Sequence, residues 1–392
     1  MSEQKVVVSK LLDCVSISGH APTIFDNTKK YISTSAVKVN IIDYSLSEEI
    51  TYEDRPSRAN LEVDIGDVIF AKMMSTKKTL LIDCKSAKNI YSTGFYSLKS
   101  KNDIICNEYL YEIIKSEYFL LQKDRYCTGA TQKSLNNSGL NKIQIPLPPL
   151  PIQQKIAAIL DKVSNLINER KQQIENLDLL VKARFVEMFG LINKNPNGFP
   201  IMQLSDLCDK ITDGKHGGCE VQTDSDYYYV GAREIYNKKI HYDTTPQITY
   251  KDFIESYKRC NIENGDLVIV NTGATIGKTA IANDVKTNRT LLQKSVALIK
   301  TKSFLLLPVY LQYCYILNPG MYKVDSASAQ PNLLLSKMKS TKIILPPLDL
   351  QTRFSDFVQQ VDKSKAEMQQ GLEKLEMQYN ALMQKYFEKE KF

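Results

Sequence analysis

The sequence is short of the groups that covalent and metal-dependent enzymes use. Its three histidines, His20, His216 and His241, lie far apart, and a serine or cysteine nucleophile needs a partnered histidine. The eight cysteines, at positions 14, 84, 106, 127, 208, 219, 260 and 314, include no CxxC pair. Zinc ligation therefore lacks its usual spacing, and no metal site is expected. The opening MSEQKVVVSK has no signal-peptide pattern, so the thiols are expected to pack as small apolar groups rather than form disulfides. No apolar run approaches the ~20 residues of a membrane span, and a cytoplasmic protein is expected.

Nucleotide signatures are missing as well. Gly273-Ala-Thr-Ile-Gly277-Lys278-Thr279 has three residues between its glycines, whereas a phosphate-cradling loop needs four for enough amides to converge. A glycine-containing turn between two strands fits this stretch better. No Gly-rich loop follows a first strand with an acidic residue beyond it, as cofactor-binding α/β folds require. The Asn/Asp-Pro-Pro-aromatic signature of amino-methylating enzymes is also missing; the paired prolines sit in Leu-Pro-Pro-Leu. The chain is expected to perform no chemistry itself and to bind no cofactor.

What the sequence does contain is a repeat. Pro148-Pro149 leads into some 37 residues without Gly or Pro, beginning at Gln153 and rich in strong helix formers. Leu160, Ile167, Ile174, Val181 and Met188 recur every seven residues, and Ile156, Val163 and Leu177 fill the other seam position. Heptads of this kind drive two helices to wrap around each other, so a partner helix is required. A shift of 198 places Pro148-Pro149-Leu150 on Pro346-Pro347-Leu348, Gln153 on Gln351 and Phe189 on Phe387. The second copy keeps an apolar seam at Phe354, Val361, Met368, Leu375 and Leu382, alternating with Val358, Leu372, Tyr379 and Tyr386. Upstream, Gln132, Leu135 and Ser138 fall on Gln330, Leu333 and Ser336. Arg170 and Arg184 interrupt the first seam and are expected to face acidic residues of the second helix or of a partner subunit.

The 392 residues therefore divide into two similar halves, with 43% apolar residues to build two cores and a mild net charge of +7. The expected boundaries are 1–147 for a first globular unit, 148–195 for its helix, 196–345 for a second unit and 346–392 for the second helix. Within the first unit, KVVVSKLLDCVSI, VKVNIIDYSL, LEVDIGDVIFAKM and TLLIDCKSAKNIYSTGFYSLK read as strands. Asn107–Gln122 reads as one helix, followed by a polar loop, CTGATQKSLNNSG, and a last strand, KIQIPL. In the second unit Gly265-Asp266 answers Gly66-Asp67, and LPVYLQYCYILN answers the first unit's helix. Each unit is thus α+β. Their loops differ almost completely, which suggests related jobs on two different targets; drift after duplication is the plainer alternative.

A basic excess permits nucleic-acid binding without demanding it. Candidate phosphate contacts are Lys77, Lys78, Lys85, Lys88 and Lys133 in the first unit. In the second they are Lys215, His216, Lys238, Lys239, Lys258, Arg259, Lys278 and Lys294. Gln132, Arg233, Asn271, Gln293 and Gln330 stand in or near loops, where Asn and Gln can pair with adenine and Arg with guanine. Each could equally satisfy loop backbone, and surface lysines commonly serve solubility alone.

The closing segments Ile145-Pro146-Leu147-Pro148-Pro149-Leu150 with Gln153-Gln154-Lys155, and Ile344 to Leu348 with Gln351-Thr352-Arg353, carry a resemblance. With the GATQKSL and SASAQPNL loops, they make the chain similar, over its whole length, to the specificity (S) subunits of type I restriction–modification enzymes. Weaker supports are the ITDGKH stretch (Ile211–His216) and the two Gly-Asp turns. Phe70–Thr79 departs from the pattern, since it lacks the Gly-x-Ile-Gly-Lys turn of the second unit. The resemblance implies two target recognition domains, each reading one half of a split DNA sequence, held by an antiparallel coiled coil with internal pseudo-two-fold symmetry. It further implies docking of two methyltransferase subunits that bind S-adenosylmethionine. Restriction subunits that use ATP and magnesium can join them. A helix of this length is roughly 57 Å long, long enough to fix a gap between half-sites. A nuclease or ATPase would instead hydrolyse DNA or ATP unaided, and a coiled-coil protein adaptor would lack salt-sensitive duplex binding.

Overall fold

The computed structural model describes residues 7–190, 194–322 and 332–387. Two compact units result, one built from the first globular region with residues up to Lys171 and from Gln370 onward, the other from Gln172–Gln369.

In the first unit, Val15–Ser18, Phe95–Ser100, Val68–Ala71 and Thr79–Leu81 form an antiparallel four-stranded sheet in that order. A second sheet orders Glu48–Ile50, Lys29–Ile32, Ile90–Ser92 and Ala59–Leu61, with Lys29–Ile32 and Ile90–Ser92 parallel. Val7–Lys10 pairs with Gln144–Leu147 and closes the unit next to the start of the first long helix. Pro146 is tolerated there because the pair has only two strands, so its missing N–H can face outward. The second unit repeats the plan. Cys208–Asp213, Val296–Thr301, Leu267–Val270 and Thr279–Ile281 form the four-stranded sheet, and Ile201–Gln203 with Lys342–Ile344 form the closing pair.

Two local expectations are corrected. The expected strand Lys5–Ile17 is broken by a one-turn helix, Leu11–Cys14, which buries Leu11 and Cys14. The expected single helix 107–122 is two, Asn107–Lys115 and Glu117–Arg125. Ser116 is extended between them; its hydroxyl donates to the Ile113 carbonyl and accepts from the Phe119 amide. It thus serves as the N-cap of the second helix, the role for which serine is favoured.

The two long helices span Leu150–Phe189 and Leu348–Phe387, so both ends obey the 198-residue shift. Each is anchored by the same side chain. The Gln153 amide nitrogen donates to the Ile104 (2.9 Å) and Pro148 (2.8 Å) carbonyls, while its oxygen accepts from the Cys106 amide at 3.1 Å. Gln351 does the same with Leu305 (2.9 Å), Pro346 (2.9 Å) and the Leu307 amide (2.8 Å). Both glutamines are essentially inaccessible, at 1% and 0% exposure. Beside them, the Tyr109 and Tyr310 hydroxyls donate to the Pro146 and Ile344 carbonyls.

The helices pack together antiparallel, because in each unit the beginning of one meets the end of the other. In the first unit Ile156, Ala157 and Leu160 share a core with Met383 and Phe387, and the Phe387 ring lies 5.6 Å from Tyr109. In the second unit Phe354 and Val358 share a core with Phe185 and Phe189, with Phe185 5.3 Å from Phe354 and stacked on Tyr310 at 5.5 Å. Leu160, Ile167, Val181, Val361 and Leu372 of the expected seam are buried, while Val163, Ile174, Leu177, Met368, Leu375, Tyr379 and Leu382 are half-buried. Of the two acidic settings expected for Arg184, the second helix is not the one that its ion pair uses among the described residues. Arg184 pairs with Glu187 of its own helix at 2.8 Å and its guanidinium lies over the Phe357 ring. Ion pairs that join the helices include Lys171–Glu376 at 2.8 Å and Lys365–Asp178. Arg170 is half-buried.

Candidate nucleic-acid interface

In the first unit, candidate contacts gather on two touching loops. The strands Val68–Ala71 and Thr79–Leu81 are joined by the loop 72–78. That loop is laced to the segment around Ser134 by the Met74 amide on the Lys133 carbonyl (3.0 Å) and the Leu135 amide on the Lys72 carbonyl (2.9 Å). The loop that carries Lys77 and Lys78 and the one that carries Gln132 and Lys133 are therefore in contact. Two of these residues already have partners: Lys77 is 2.7 Å from Glu117, and Lys78 donates to the Thr34 carbonyl at 2.6 Å. Gln132 and Lys133 are exposed. Lys85 and Lys88 are also exposed, and Lys85 lies over the Tyr44 ring.

The second unit assembles an equivalent set. The Gly273–Gly277 stretch is a hairpin turn between two antiparallel strands, Leu267–Val270 and Thr279–Ile281; a phosphate loop would instead feed a helix. At its root Asn271 is 4% exposed, its amide bonds to the Ser295 carbonyl and its side-chain oxygen has no hydrogen-bond partner among the described residues. Lys215 pairs as a β-bridge with Gln293, and the Lys294 amide donates to the Lys215 carbonyl, so these strands end together. The Gln293 side chain lies directly against Gly231, two residues before Arg233. Arg233, Lys278 and Lys294 are exposed, as are Lys239 and Lys258. Gln330 and most of the SASAQPNL loop lie outside the described residues.

Some cations here are neutralised in place. Lys215 Nζ lies 2.6 Å from Asp252, which also accepts the Glu220 amide at 2.7 Å. The Lys215 ammonium and that amide hold the Asp252 carboxyl below its ordinary range. Asp213 binds His216 at 3.0 Å and the Arg259 guanidinium; burial opposes its charge, but these two partners outweigh burial and its pKa is lowered. Lys238 reaches the long helices instead, lying 3.0 Å from the Tyr313 hydroxyl and 3.3 Å from Asp362. The exposed cations can meet a polyanion, and the exposed Gln132 amide can accept or donate at base edges. No cluster of three or more metal-capable side chains occurs among the described residues.

Sequence reasoning passed over Lys123 and Asp124, which brace the 72–78 loop from the helix Glu117–Arg125. A lysine and an aspartate near the end of a helix read as solvated residues, so the sequence carries no signal for Lys123. The apolar spacing over Asn107–Gln122 gave part of the helix that carries them, but stopped short of both residues.

The profile of the family described as type I restriction modification DNA specificity domain matches this chain twice, over residues 4–176 and 196–377. The chain belongs to that family. Members are DNA-recognition components rather than catalysts, and this chain's role is recognition of DNA sequence. The type I restriction enzyme MjaVIII specificity subunit of Methanocaldococcus jannaschii is 24% identical over 295 residues, 70% of this chain and 68% of that protein. The MjaIX specificity subunit of the same organism is 26% identical over 298 residues, 70% of this chain and 66% of that protein. A solved chain from work on complex assembly and conformational transition of the type I R-M system shares the fold, with a TM-score of 0.62 at 21% identity over 98% of both chains. The type I restriction–modification S subunit from M. genitalium does so with a TM-score of 0.58 at 15% identity, over 99% of this chain and 97% of that one. No helix among the described residues is long and apolar enough to cross a membrane.

Proposed function

We propose that this chain is the recognition subunit of a type I restriction–modification complex, in which residues 1–147 and 196–345 each read one half of a split DNA site. The helical segments 148–195 and 346–392 set the number of unread base pairs between the halves and dock two methyltransferase subunits. Phosphate contacts by the exposed lysines set the register on the duplex, and loop side chains specify the bases. Bending of the DNA as the methyltransferase extrudes its adenine adds an indirect contribution. The chain itself binds no cofactor: S-adenosylmethionine belongs to the methyltransferase, and ATP and magnesium to restriction subunits where these join.

The observation that carries this reading is a repeated frame bearing unlike loops. Gln153 and Gln351 anchor their helices through the same three hydrogen bonds, while the loops 72–78 and 271–278 share almost no residues. A duplicated frame with unlike contact surfaces suits an asymmetric, two-part target. Mapping methylated adenines in cells that carry the chain and its methyltransferase tests it. A bipartite motif with a fixed gap is expected, and a continuous motif would contradict two readers.

A further inference from the structure

The hairpin that carries the candidate contacts is shaped by different means in the two units. In the second unit, glycine does the shaping. Gly273 and Gly277 have φ of +98° and +90°, a region that side chains rarely adopt. A Cβ at Gly277 would lie 2.4 Å from the Tyr322 ring. In the first unit the corresponding loop contains no glycine, and Ser75 takes φ of +58°. Something outside the loop must hold it there.

The helix Glu117–Arg125 supplies the hold. Lys123 is 0% exposed, and its ammonium donates to the Met73 and Thr76 carbonyls, each at 2.8 Å. The Asp124 carboxylate accepts the Ser75 amide at 3.0 and 3.1 Å through its two oxygens, and lies 3.6 Å from Lys123. Met73, Ser75 and Thr76 are thus bound from one helix turn. The same loop carries the Lys133 segment through the Met74 amide, so the brace reaches both candidate contact loops. Burying an ammonium is costly unless its donors are satisfied. Burial does push Lys123 below its ordinary lysine range, opposed by Asp124. A solvated lysine would serve solubility without that cost, so the arrangement is spent on loop geometry.

We propose that Lys123 and Asp124 are positioning residues that set the base specificity of the first reader alone, and that Gly277 has the matching role in the second. This rests on the two-reader function above. The test is the full chain in complex with its methyltransferase, assayed for adenine methylation on duplexes carrying the cognate site or a single mismatch in either half. Lys123→Met should lower the cognate-to-mismatch ratio about ten-fold in one half and leave the other within about two-fold, since one mismatched pair is ordinarily discriminated by that order. Asp124→Ala, at a partly exposed position, should relax the same half by about three-fold even if Lys123→Met folds poorly. Gly277→Ala should relax the opposite half. Unchanged ratios, or an equal loss in both halves, for Lys123→Met and Asp124→Ala would overturn the inference while a bipartite wild-type motif left the two-reader function standing. A continuous wild-type motif would overturn both.

Discussion

Replacing Gln153 by leucine tests the frame on which both units depend. The substitution keeps side-chain volume but removes three hydrogen bonds in a site with 1% exposure. The Cys106 amide and the Pro148 carbonyl lose their partner, whereas Ile104 is exposed and water can replace its bond. A stranded buried group costs about 1–2 kcal/mol, so two give a loss of about 2–4 kcal/mol. In a unit of this size that is a fall in midpoint of roughly 4–16 °C. With no tryptophan in the chain, the unfolding is best followed by circular dichroism of the helices. The exposed neighbour Gln154→Leu should change stability by no more than about 0.5 kcal/mol, and Gln351→Leu should repeat the Gln153 loss in the second unit. Equal midpoints for Gln153→Leu and Gln154→Leu would refute the reasoning.

Three further outcomes are expected. Lys238→Met removes the partner of the hydroxyl of buried Tyr313 and the ion pair with exposed Asp362, and should increase amide exchange at residues 236–240 while leaving residues 72–78 unchanged. Lys278→Ala and Lys133→Ala, at exposed positions, should each lower the slope of log binding constant against log salt by about 1, whereas Lys215→Ala, already paired with Asp252, should lower it less. Asp252, whose carboxyl is held low by Lys215 and the Glu220 amide, contributes stability that is present above the unfolded value of 3.8 and lost as pH falls through its lower folded value. The stability difference between wild type and Asp252→Asn should therefore persist at neutral pH and shrink progressively as pH falls below 3.8.

The repeat was legible because long helices need an uninterrupted run of helix formers and a sustained apolar stripe, and both copies of the Pro-Pro-Leu…Gln signature survive. Helix ends at Leu150, Phe189, Leu348 and Phe387 follow from the same register. Gly66 and Gly265 marked real turns, with φ of +89° and +96°. The partners of charged residues were not legible. Arg184 interrupts the first seam, yet the acid that it pairs with is Glu187, one turn onward on its own helix. Heptad counting also understated the buried stripe: Phe185 and Met383, four residues beyond seam positions Val181 and Tyr379, are buried because a straight helix drifts off a seven-residue repeat. Among the candidate contacts, periodicity and charge placed them on loops but did not tell exposed Lys133 and Lys278 from internally bonded Lys78 and Lys215, because the groups that bind those two, the Thr34 carbonyl and the Asp252 carboxylate, are distant in sequence.

Exchanging residues 7–147 for the corresponding region of a relative with a different first reader, and then mapping methylated adenines, tests the division of labour directly. One half of the recognised sequence should change, with the other half and the gap preserved. A change in both halves, or in the gap alone, would contradict two independent readers on a shared frame.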